Sequence, residues 1–407
     1  MSWKKKFVRN WGRLGMKCKL EDIVDVTMGQ SPKSEYYNTE GKGYPFLQGN
    51  RTFGFKYPTF DTYTTVMTKP AKAGDVIMSV RAPVGDLNIT PVDMCLGRGV
   101  CSLRMKNGNQ DFLFYMMKYY IPHLLKKESG TVFGSVNRND INGLEVNIPE
   151  DAQVQKKIAR YLEMIDDKIE LNNEINNNLE QQPKAIFKSW FVDFEPFGSE
   201  QPSEMQFVPL QDICKVVTKG TTPTTLGKPF TTSGINFIKA ESILDNHSID
   251  NTKFAYIDDE TNTMLKRYII ESGDIVFTIA GTLGRFALID ESVLPANTNQ
   301  AVAIIRPDTN KVAISYLYSF FIGNWHNDYY TKRVQQAVQA NLSLTTIKSL
   351  PIAILSNESM KKYDDLVRPL FAMMKNNEEE NRKLSNLRDT FLPKLMSGEL
   401  DVSNIDL

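Results

Sequence analysis

The sequence predicts an α+β protein: two duplicated mixed α/β domains separated by two long antiparallel coiled-coil helices, with pseudo-twofold symmetry. Three observations support this prediction. The stretch GDVIMSVRAPVG at 74–85 returns as GDIVFTIAGTLG at 273–284. Short runs of branched residues bounded by Gly, Pro, Asn and Asp occur in both copies and are typical of strands. A heptad pattern of apolar residues follows each copy.

The length and composition fit a globular protein of two domains. The chain has 407 residues, and single domains usually run to about 100–200 residues. The net charge is zero, but residues 1–150 carry 21 Lys and Arg against 14 Asp and Glu. The first half could therefore face phosphates through its bulk charge, whereas the second half could do so only through a local patch.

The sequence indicates a cytoplasmic protein. It contains no apolar run of the roughly 18 residues that a membrane span needs, and the basic N-terminus lacks the apolar core of a secretory signal. The four cysteines form no CxxC pair, which favours a reducing compartment.

The duplication extends beyond the glycine-rich pair. Five further pairs keep the same order, from the match of residue 20 with 210 to the match of 141 with 347, which indicates domain duplication and not chance similarity. The pairs are LEDIVDVTMGQSP at 20–32 with LQDICKVVTKGTTP at 210–223, YPFLQGNR at 44–51 with INFIKAES at 235–242, GVCSLRM at 99–105 with QAVAIIRP at 300–307, FLFYMM at 112–117 with YLYSFF at 316–321, and INGLEVNIP at 141–149 with IKSLPIAIL at 347–355. Aromatic-rich helices are predicted at about 111–127 and 312–333.

Residues at alternating steps of three and four predict two helical seams. The first comprises Ile158, Leu162, Ile165, Ile169, Asn172, Asn176, Leu179, Ile186 and Trp190, and the second comprises Leu366, Leu370, Met373, Asn377, Leu384, Leu387, Phe391 and Leu395. Asn172 and Asn377 stand at equivalent places, and a buried Asn fixes register because its amide must find a partner. This favours antiparallel pairing of the two helices. The alternative is that each helix packs only on its own domain. Pro183 and Pro393 are expected to kink their helices.

Motifs for catalysis are missing from the sequence. It has no GxxxxGK[ST] loop, no HExxH pair and no Cys/His spacing suited to zinc. Its three histidines are isolated, and Glu40-Gly41-Lys42 lacks the preceding Pro-Asp strand of a nuclease signature. No methyltransferase motif of the Asn/Asp-Pro-Pro-aromatic type is present either. A duplicated chain without a nameable nucleophile or base suggests recognition, and double-stranded DNA is the commonest ligand of pseudo-twofold proteins.

Several segments resemble the specificity subunits of type I restriction–modification systems. IPEDAQVQKKIARYLEMIDDKIELNN at 148–173 resembles the start of that family's central conserved region, and IFKSWFVDFEPF at 186–197 resembles its end. LRDTFLPKLMSGELDV at 387–402 resembles the conserved C-terminal ending, and GSVNRNDINGLEVNIP at 134–149 resembles the close of a target recognition domain.

The resemblance implies a domain plan. Residues 1–19 would be a leader, either disordered or preceding a natural start at Met16; an amphipathic helix on a membrane or partner is the alternative. The first target recognition domain would span 20–150 and the second 197–355. Conserved helical spacers would span 151–196 and 356–407.

The resemblance also implies partners and cofactors. Each recognition domain would read one half of a split site in double-stranded DNA. The chain would dock two modification (methyltransferase) subunits and, with them, restriction (motor-nuclease) subunits. S-adenosylmethionine, ATP and Mg would belong to those partners, with no cofactor or metal in this chain. The chain itself would be non-catalytic.

Candidate DNA contacts are polar residues expected on exposed loops, because base edges and phosphates are bound by such side chains. In the first domain these are Gln30, Ser31, Lys33, Asn50, Arg51, Arg81, Arg98 and Arg138. In the second they are Lys219, Thr221, Thr222, Lys239, Ser242, Arg285, Asn297, Asn299 and Asn341. For any single residue, plain solvated surface is the alternative. The loops GQSPKS and KGTTPTT gain weight because they stand at matching places in both copies.

Two other functional classes stay open at this point. One is a nuclease or methyltransferase whose site the sequence does not reveal. The other is a coiled-coil adaptor that binds only protein. The sequence does not specify which bases are read or how long the gap between the half-sites is.

Overall fold

The computed structural model describes residues 15–126, 134–327, 329–330 and 341–402. The chain divides into two compact units. The first consists of Met1–Asn173 and Glu378–Leu407, and the second of Glu174–Asn377. Both divisions fall inside a long helix, so each unit contains part of each long helix.

The first unit is a mixed α and β structure. Its strands are β1 Gly15–Lys19, β2 Val24–Met28, β3 Tyr37–Asn38, β4 Tyr44–Leu47, β5 Tyr63–Thr64, β6 Pro70–Ala71, β7 Val76–Ser79, β8 Leu87–Ile89, β9 Met94–Leu96, β10 Val100–Met105 and β11 Glu145–Pro149. Its helices are α1 Leu20–Ile23, α2 Gln110–Lys126, α3 Arg138–Asn142 and the start of α4 Ala152–Phe191, with a 3₁₀ turn at Ser34–Tyr36.

Three sheets build this unit. The central one has the order β2-β10-β7-β8 and is antiparallel throughout. A second has the order β3-β5-β4-β9-β6, with β4 and β9 parallel, and β1 pairs with β11. Helix α2 packs on the central sheet, and its Phe112, Leu113 and Met116 are fully buried there. The aromatic-rich segment predicted as a helix at about 111–127 is thus confirmed.

The second unit repeats the same classes of element. Its strands are β12 Gln206–Pro209, β13 Cys214–Lys219, β14 Ile235–Ile238, β15 Ala255–Ile257, β16 Ile275–Thr278, β17 Phe286–Leu288, β18 Ala296–Thr298, β19 Val302–Pro307 and β20 Pro351–Ile354. Its helices are α5 Asp259–Met264, α6 Ile314–Ile322, α7 Leu344–Lys348 and the start of α8 Asn357–Met396. Its 3₁₀ turns are Glu195–Phe197, Leu210–Ile213, Pro223–Leu226, Ala240–Ser242, Asn251–Lys253, Lys266–Tyr268 and Glu291–Val293.

The strand orders of the two units correspond. The second unit has a central sheet β13-β19-β16-β17, a pair β12-β20 and a sheet β15-β14-β18 in which β14 and β18 are parallel. Each of these sheets matches a sheet of the first unit in strand order. The strand pairs that occur in both units are also parallel or antiparallel alike. The predicted duplication is confirmed. The aromatic helix predicted at about 312–333 is shorter, since α6 ends at Ile322. Residues 328 and 331–333 of the predicted range lie outside the described residues.

The expected leader needs a correction. Gly15–Lys19 forms β1 and pairs in register with Glu145–Pro149, so these five residues belong to the first unit. Their backbone hydrogen bonds to β11 tie them to that unit. Residues 1–14 lie outside the described residues.

The two long helices pair in antiparallel fashion within each unit, as predicted. In the first unit Asn172 donates from Nδ2 to Asn381 Oδ1 at 2.9 Å and to Glu380 Oε2 at 2.8 Å. In the second unit Asn377 donates from Nδ2 to Asn176 Oδ1 at 2.8 Å. Both register asparagines therefore find a partner amide, as a buried Asn in a seam must.

The predicted seam is correct on the first part of α4 and shifted on α8. It is also shifted by one residue at the end of α4, where Phe187 and Phe191 are buried and the predicted Ile186 and Trp190 only partly so. Ile158, Leu162 and Ile169 are buried as expected, whereas Leu366 and Met373 are each 50% exposed. Leu387, also placed in the seam, is 41% exposed. The buried positions at the start of α8 are Tyr363 and Val367 instead, because they join the aromatic core of the second unit around Tyr316 and Phe187. Both helices continue through Pro183 and Pro393.

A buried polar cluster connects α2, α4 and α8 in the first unit. Asp166 is fully buried and accepts from Tyr115 Oη and from Arg388 Nη1, each at 2.9 Å. Lys118 Nζ lies 3.5 Å from the same carboxylate. Burial lowers the pKa of Lys118, although Asp166 opposes that effect.

Candidate nucleic-acid interface

The repeated glycine-rich stretch forms a hairpin loop held by a hydroxyl group. In the first unit Ser79 Oγ donates to Pro83 O at 2.8 Å and accepts from Asp86 N at 2.9 Å. In the second unit Thr278 Oγ1 donates to Thr282 O and accepts from Arg285 N at 2.9 Å. The repeat therefore encodes a loop of fixed shape on which other side chains differ.

The glycine that ends each stretch is required by this loop. Gly85 has φ +99° and Gly284 has φ +84°, a region that side-chain-bearing residues rarely adopt. Their amides donate to Ser79 O at 3.0 Å and to Thr278 O at 3.1 Å. The same backbone turn is thus built twice.

An ion pair between a buried aspartate and an arginine supports each central sheet and was not predicted from the sequence. Asp75 Oδ1 lies 2.6 Å from Arg104 Nε, and Asp274 Oδ1 lies 2.8 Å from Arg306 Nε. Burial raises the pKa of Asp75, and the nearby Arg104 opposes this shift. The signal was present in the sequence, because the Asp of each GD dipeptide and the Arg of each matched strand occur in both copies.

The polar loop after β2 or β13 contacts the turn that precedes β10 or β19. Ser31 Oγ accepts from the backbone N of Arg98 at 3.1 Å. Thr222 Oγ1 donates to Gln300 Oε1. The backbone N of Thr221 donates to Thr298 O at 3.1 Å. The two polar loops that the sequence placed at matching positions therefore make matching contacts in the two units.

Three loops converge on a cleft of about 180 Å³ in the first unit. The cleft brings together three residues predicted from the sequence, Asn50, Arg81 and Arg98. In the described part of the chain, the guanidinium groups of Arg81 and Arg98 have no hydrogen-bond or ion-pair partner. The lining residues are Gln48, Gly49, Asn50, Arg81, Ala82, Arg98 and Gly99.

The other candidates of the first unit lie outside this cleft. Lys33 is exposed beside Glu35, at 3.8 Å, and Gln30 is exposed. Arg51 Nη2 donates to Asp61 Oδ2 at 2.7 Å, a bond that lowers the pKa of Asp61. Arg138 is exposed at the first residue of α3.

Two candidates of the second unit are buried, so the expectation that they lie exposed on loops was wrong. Asn297 is fully buried and donates to Asn262 Oδ1 at 3.0 Å. Ser242 is also fully buried and donates to Lys253 O at 3.3 Å. Both polar groups are used to hold the local fold.

The remaining candidates of the second unit differ in availability. The guanidinium of Arg285 donates two hydrogen bonds, of 2.6 and 2.7 Å, to the carboxylate of Asp245. These donors are therefore already in use within the unit. Lys239 Nζ lies 2.7 Å from Glu241. Asn299 Oδ1 accepts from Ala301 N at 3.1 Å and shapes a turn. Lys219 and Asn341 are exposed.

The second unit also has a basic patch that the sequence analysis did not nominate. Lys215, Arg267 and Lys348 line a depression of about 380 Å³ beside β13. The strand pairing is irregular between Cys214 and Val216, and Lys215 is the residue between them. Burial raises the pKa of Cys214 to about 12, which disfavours the thiolate form of this side chain.

The described ranges contain neither a metal-ligand cluster nor a candidate membrane span. Among those residues no group of three or more His, Cys, Asp and Glu side chains could hold a metal ion. No helix in the described part of the chain has the length and apolar character to cross a membrane.

The repeated sheets and loops define a protein with two similar polar loop clusters. The sequence profile of the type I restriction modification DNA specificity domain matches residues 15–181 and again residues 202–384. These two segments cover well over half of the 407 residues. The chain therefore belongs to the family of type I restriction modification DNA specificity domains.

Individual relatives agree with this assignment. The chain is 25% identical to the type I restriction enzyme MjaIX specificity subunit of Methanocaldococcus jannaschii, over 95% of this chain and 94% of the relative. It is 26% identical to the HindI specificity subunit of Haemophilus influenzae, over 82% and 88% respectively. A putative MjaX specificity subunit of M. jannaschii is 38% identical over 168 residues, 41% of this chain and 39% of the relative.

A solved structure shows the same fold. The S subunit of a type I restriction-modification system from M. genitalium aligns with a TM-score of 0.57 and 17% identity. The alignment covers 97% of this chain and 98% of that subunit.

Proposed function

We propose that this chain supplies sequence specificity to a type I restriction–modification complex. It binds a bipartite target in double-stranded DNA, and each unit reads one half. One observation carries the proposal: a loop framework occurs twice, and in the first unit it presents Arg81 and Arg98 in one cleft, with no side-chain partner for either among the residues that the structure describes. Guanidinium groups in such a position match the acceptors of phosphates and of guanine.

The same proposal assigns the chemistry to partner subunits. The chain docks two modification subunits and, with them, restriction subunits. Those partners carry S-adenosylmethionine, ATP and Mg, and the complex methylates adenine and cleaves DNA with ATP. Exposed apolar residues on α8, among them Leu366 and Met373, support a role of the long helices in docking. The chain itself is non-catalytic and cytoplasmic.

The test is to co-express the chain with its modification subunits and sequence the modified bases of the host DNA. The expected result is one split motif with two specified parts and an unread gap. The purified chain alone is assayed in parallel for methyl transfer and for Mg-dependent cleavage. Activity of the pure chain would favour the enzyme alternative. A complex that forms without binding DNA would favour the protein-only adaptor.

A further inference from the structure

Arg98 and Gln300 occupy the same position in the two units. Arg104 and Arg306 correspond, because each lies on the second strand of its central sheet and pairs with the Asp of a GD dipeptide. Six residues before them stand Arg98 (104 − 6) and Gln300 (306 − 6). Both residues are exposed, and each lies in the turn that leads into β10 or β19.

The backbone around Arg98 is fixed on both sides. Gly97 N donates to Leu47 O at 2.8 Å, and Gly99 N donates to Gln48 O at 3.0 Å. A Cβ atom on Gly99 would lie 2.3 Å from Gln48 O, so only glycine permits this approach. The Arg98 side chain therefore leaves a rigid turn, and little entropy is lost in the backbone when it binds.

The composition of the cleft favours a ligand rich in hydrogen-bond acceptors. Arg81 and Arg98 both line it. Like charges at one cleft repel each other until a ligand with acceptors or negative charge enters. Asp86 accepts from Asn50, one of the lining residues, and does not itself line the cleft. Guanine offers two acceptors, O6 and N7, that match the fork of one guanidinium.

Gln300 stands at the corresponding position before β19, but its side chain is hydrogen-bonded to a neighbouring loop. Its Oε1 accepts from Thr222 Oγ1, which orients the amide. A carbonyl oxygen has two lone pairs, so Oε1 can still accept from an adenine N6 while Nε2 donates to N7. The hydrogen bond with Thr222 thus holds the amide and still allows it to form the bidentate Gln–adenine pair.

We infer that this shared position is a base-reading position in both half-sites, where Arg98 selects guanine and Gln300 selects adenine. The inference rests on the proposed function. It assigns the difference between the half-sites, at one base pair each, to a single pair of residues.

The experiment exchanges the two side chains. The wild-type complex is first typed by sequencing modified DNA, and a chain that directs no split motif would refute the proposed function itself. With a motif in hand, Arg98→Gln is expected to change one guanine of one half-site toward adenine and to leave the other half intact. Gln300→Arg is expected to make the reverse change in the other half-site. A good bidentate pair discriminates by roughly ten- to a hundredfold.

Two further variants separate base reading from phosphate contact. Arg98→Lys keeps the charge but loses the fork, so the selection of guanine is expected to fall while general affinity persists. A uniform loss of binding with an unchanged motif, and a salt slope reduced by about one, would identify a phosphate contact and overturn the inference. An unchanged motif in Arg98→Gln would also overturn it. Lys17→Gln, at an exposed residue of β1, is the control for lost charge, and a melting curve checks the fold of every variant.

Discussion

His326 is a buried histidine in an aromatic environment. It lies among the rings of Phe277, Phe286 and Phe321, with ring centroids 5.1–5.9 Å away. Burial, with a smaller contribution from His247, lowers the pKa of His326 to about 3. In the unfolded chain the pKa of a histidine is about 6.5.

This difference predicts a dependence of stability on pH. Below about pH 6.5 the unfolded state binds a proton that the folded state does not, so the stabilisation present above that pH is lost as the pH falls toward 3. Between pH 7.5 and pH 5 the wild type is expected to lose about 2 kcal/mol more than His326→Phe. Denaturant unfolding at both pH values measures this, with exposed His123→Phe as control. Equal losses in wild type and His326→Phe would contradict the prediction.

The repeated ion pair predicts unequal costs in the two units. Arg306 forms two hydrogen bonds of 2.8 Å to the fully buried Asp274, whereas Arg104 is 43% exposed beside Asp75. Arg306→Met leaves a buried carboxylate without its partner, which costs about 3–5 kcal/mol. Arg104→Met is expected to cost less, because water reaches that site. Urea unfolding compares the two variants, and an equal or larger loss for Arg104→Met would contradict this ranking.

Residue type alone could not locate the site. Arg81 and Arg98 were predicted and share a cleft, because charged side chains on loops stay at the surface. Asn297 was predicted on the same grounds, yet its partner Asn262 lies 35 residues away and draws it into the core. A polar residue type does not show whether its partner is water or another segment. Only the folded backbone decides that.

At the scale of the element, the sequence predicts strands and helices better than their faces. The duplication explains why the strand orders of the two units correspond. One copy taken alone does not show which of its strands pair. The seam on α8 is displaced by one residue in the second unit, from Leu366 to Val367. A heptad pattern does not decide which of two adjacent helix faces is buried. In α8 the buried face is the one that packs on aromatic residues of α6, which are distant in sequence.

The asparagine pair of the second unit predicts a coupling between helices. Asn377→Leu leaves the amide of Asn176 with only the carbonyl of Met374, at 3.1 Å. A loss of about 1 kcal/mol is expected, because a half-buried polar group loses one bond. The double variant Asn176→Leu/Asn377→Leu is expected to recover most of it, since both partners are then apolar.

A double-mutant cycle by urea unfolding measures this coupling. Asn177→Leu, at an exposed position of α4, is the matched control. If the two single losses simply add in the double variant, the two amides are not coupled.

At the scale of the whole molecule, the duplication predicts modular recognition. Replacing residues 15–149 by those of a relative is expected to change one half-site and to preserve the other. The chimera must keep Lys56, Tyr115 and Lys118, because these contact Glu163 and Asp166 of α4. Sequencing of modified DNA reads the result. A chimera that altered both half-sites would show that the two units read DNA together. A second chimera that lacks the three residues serves as the control for correct folding.

The buried Asp166–Arg388 pair also bears on how such a gene can exchange its parts. Asp166 is the fifteenth residue of α4, and the fifteenth residue of α8 is Phe371; Arg388 is the thirty-second of α8, matched in α4 by Pro183. The two halves are therefore not interchangeable at this point. The pair is 222 residues apart in the chain. A recombination event that replaces the second half of the gene removes the partner of the buried Asp166 carboxylate unless the new half also encodes Arg388. The segment that encodes α8 is therefore expected to be inherited together with the first half of the gene.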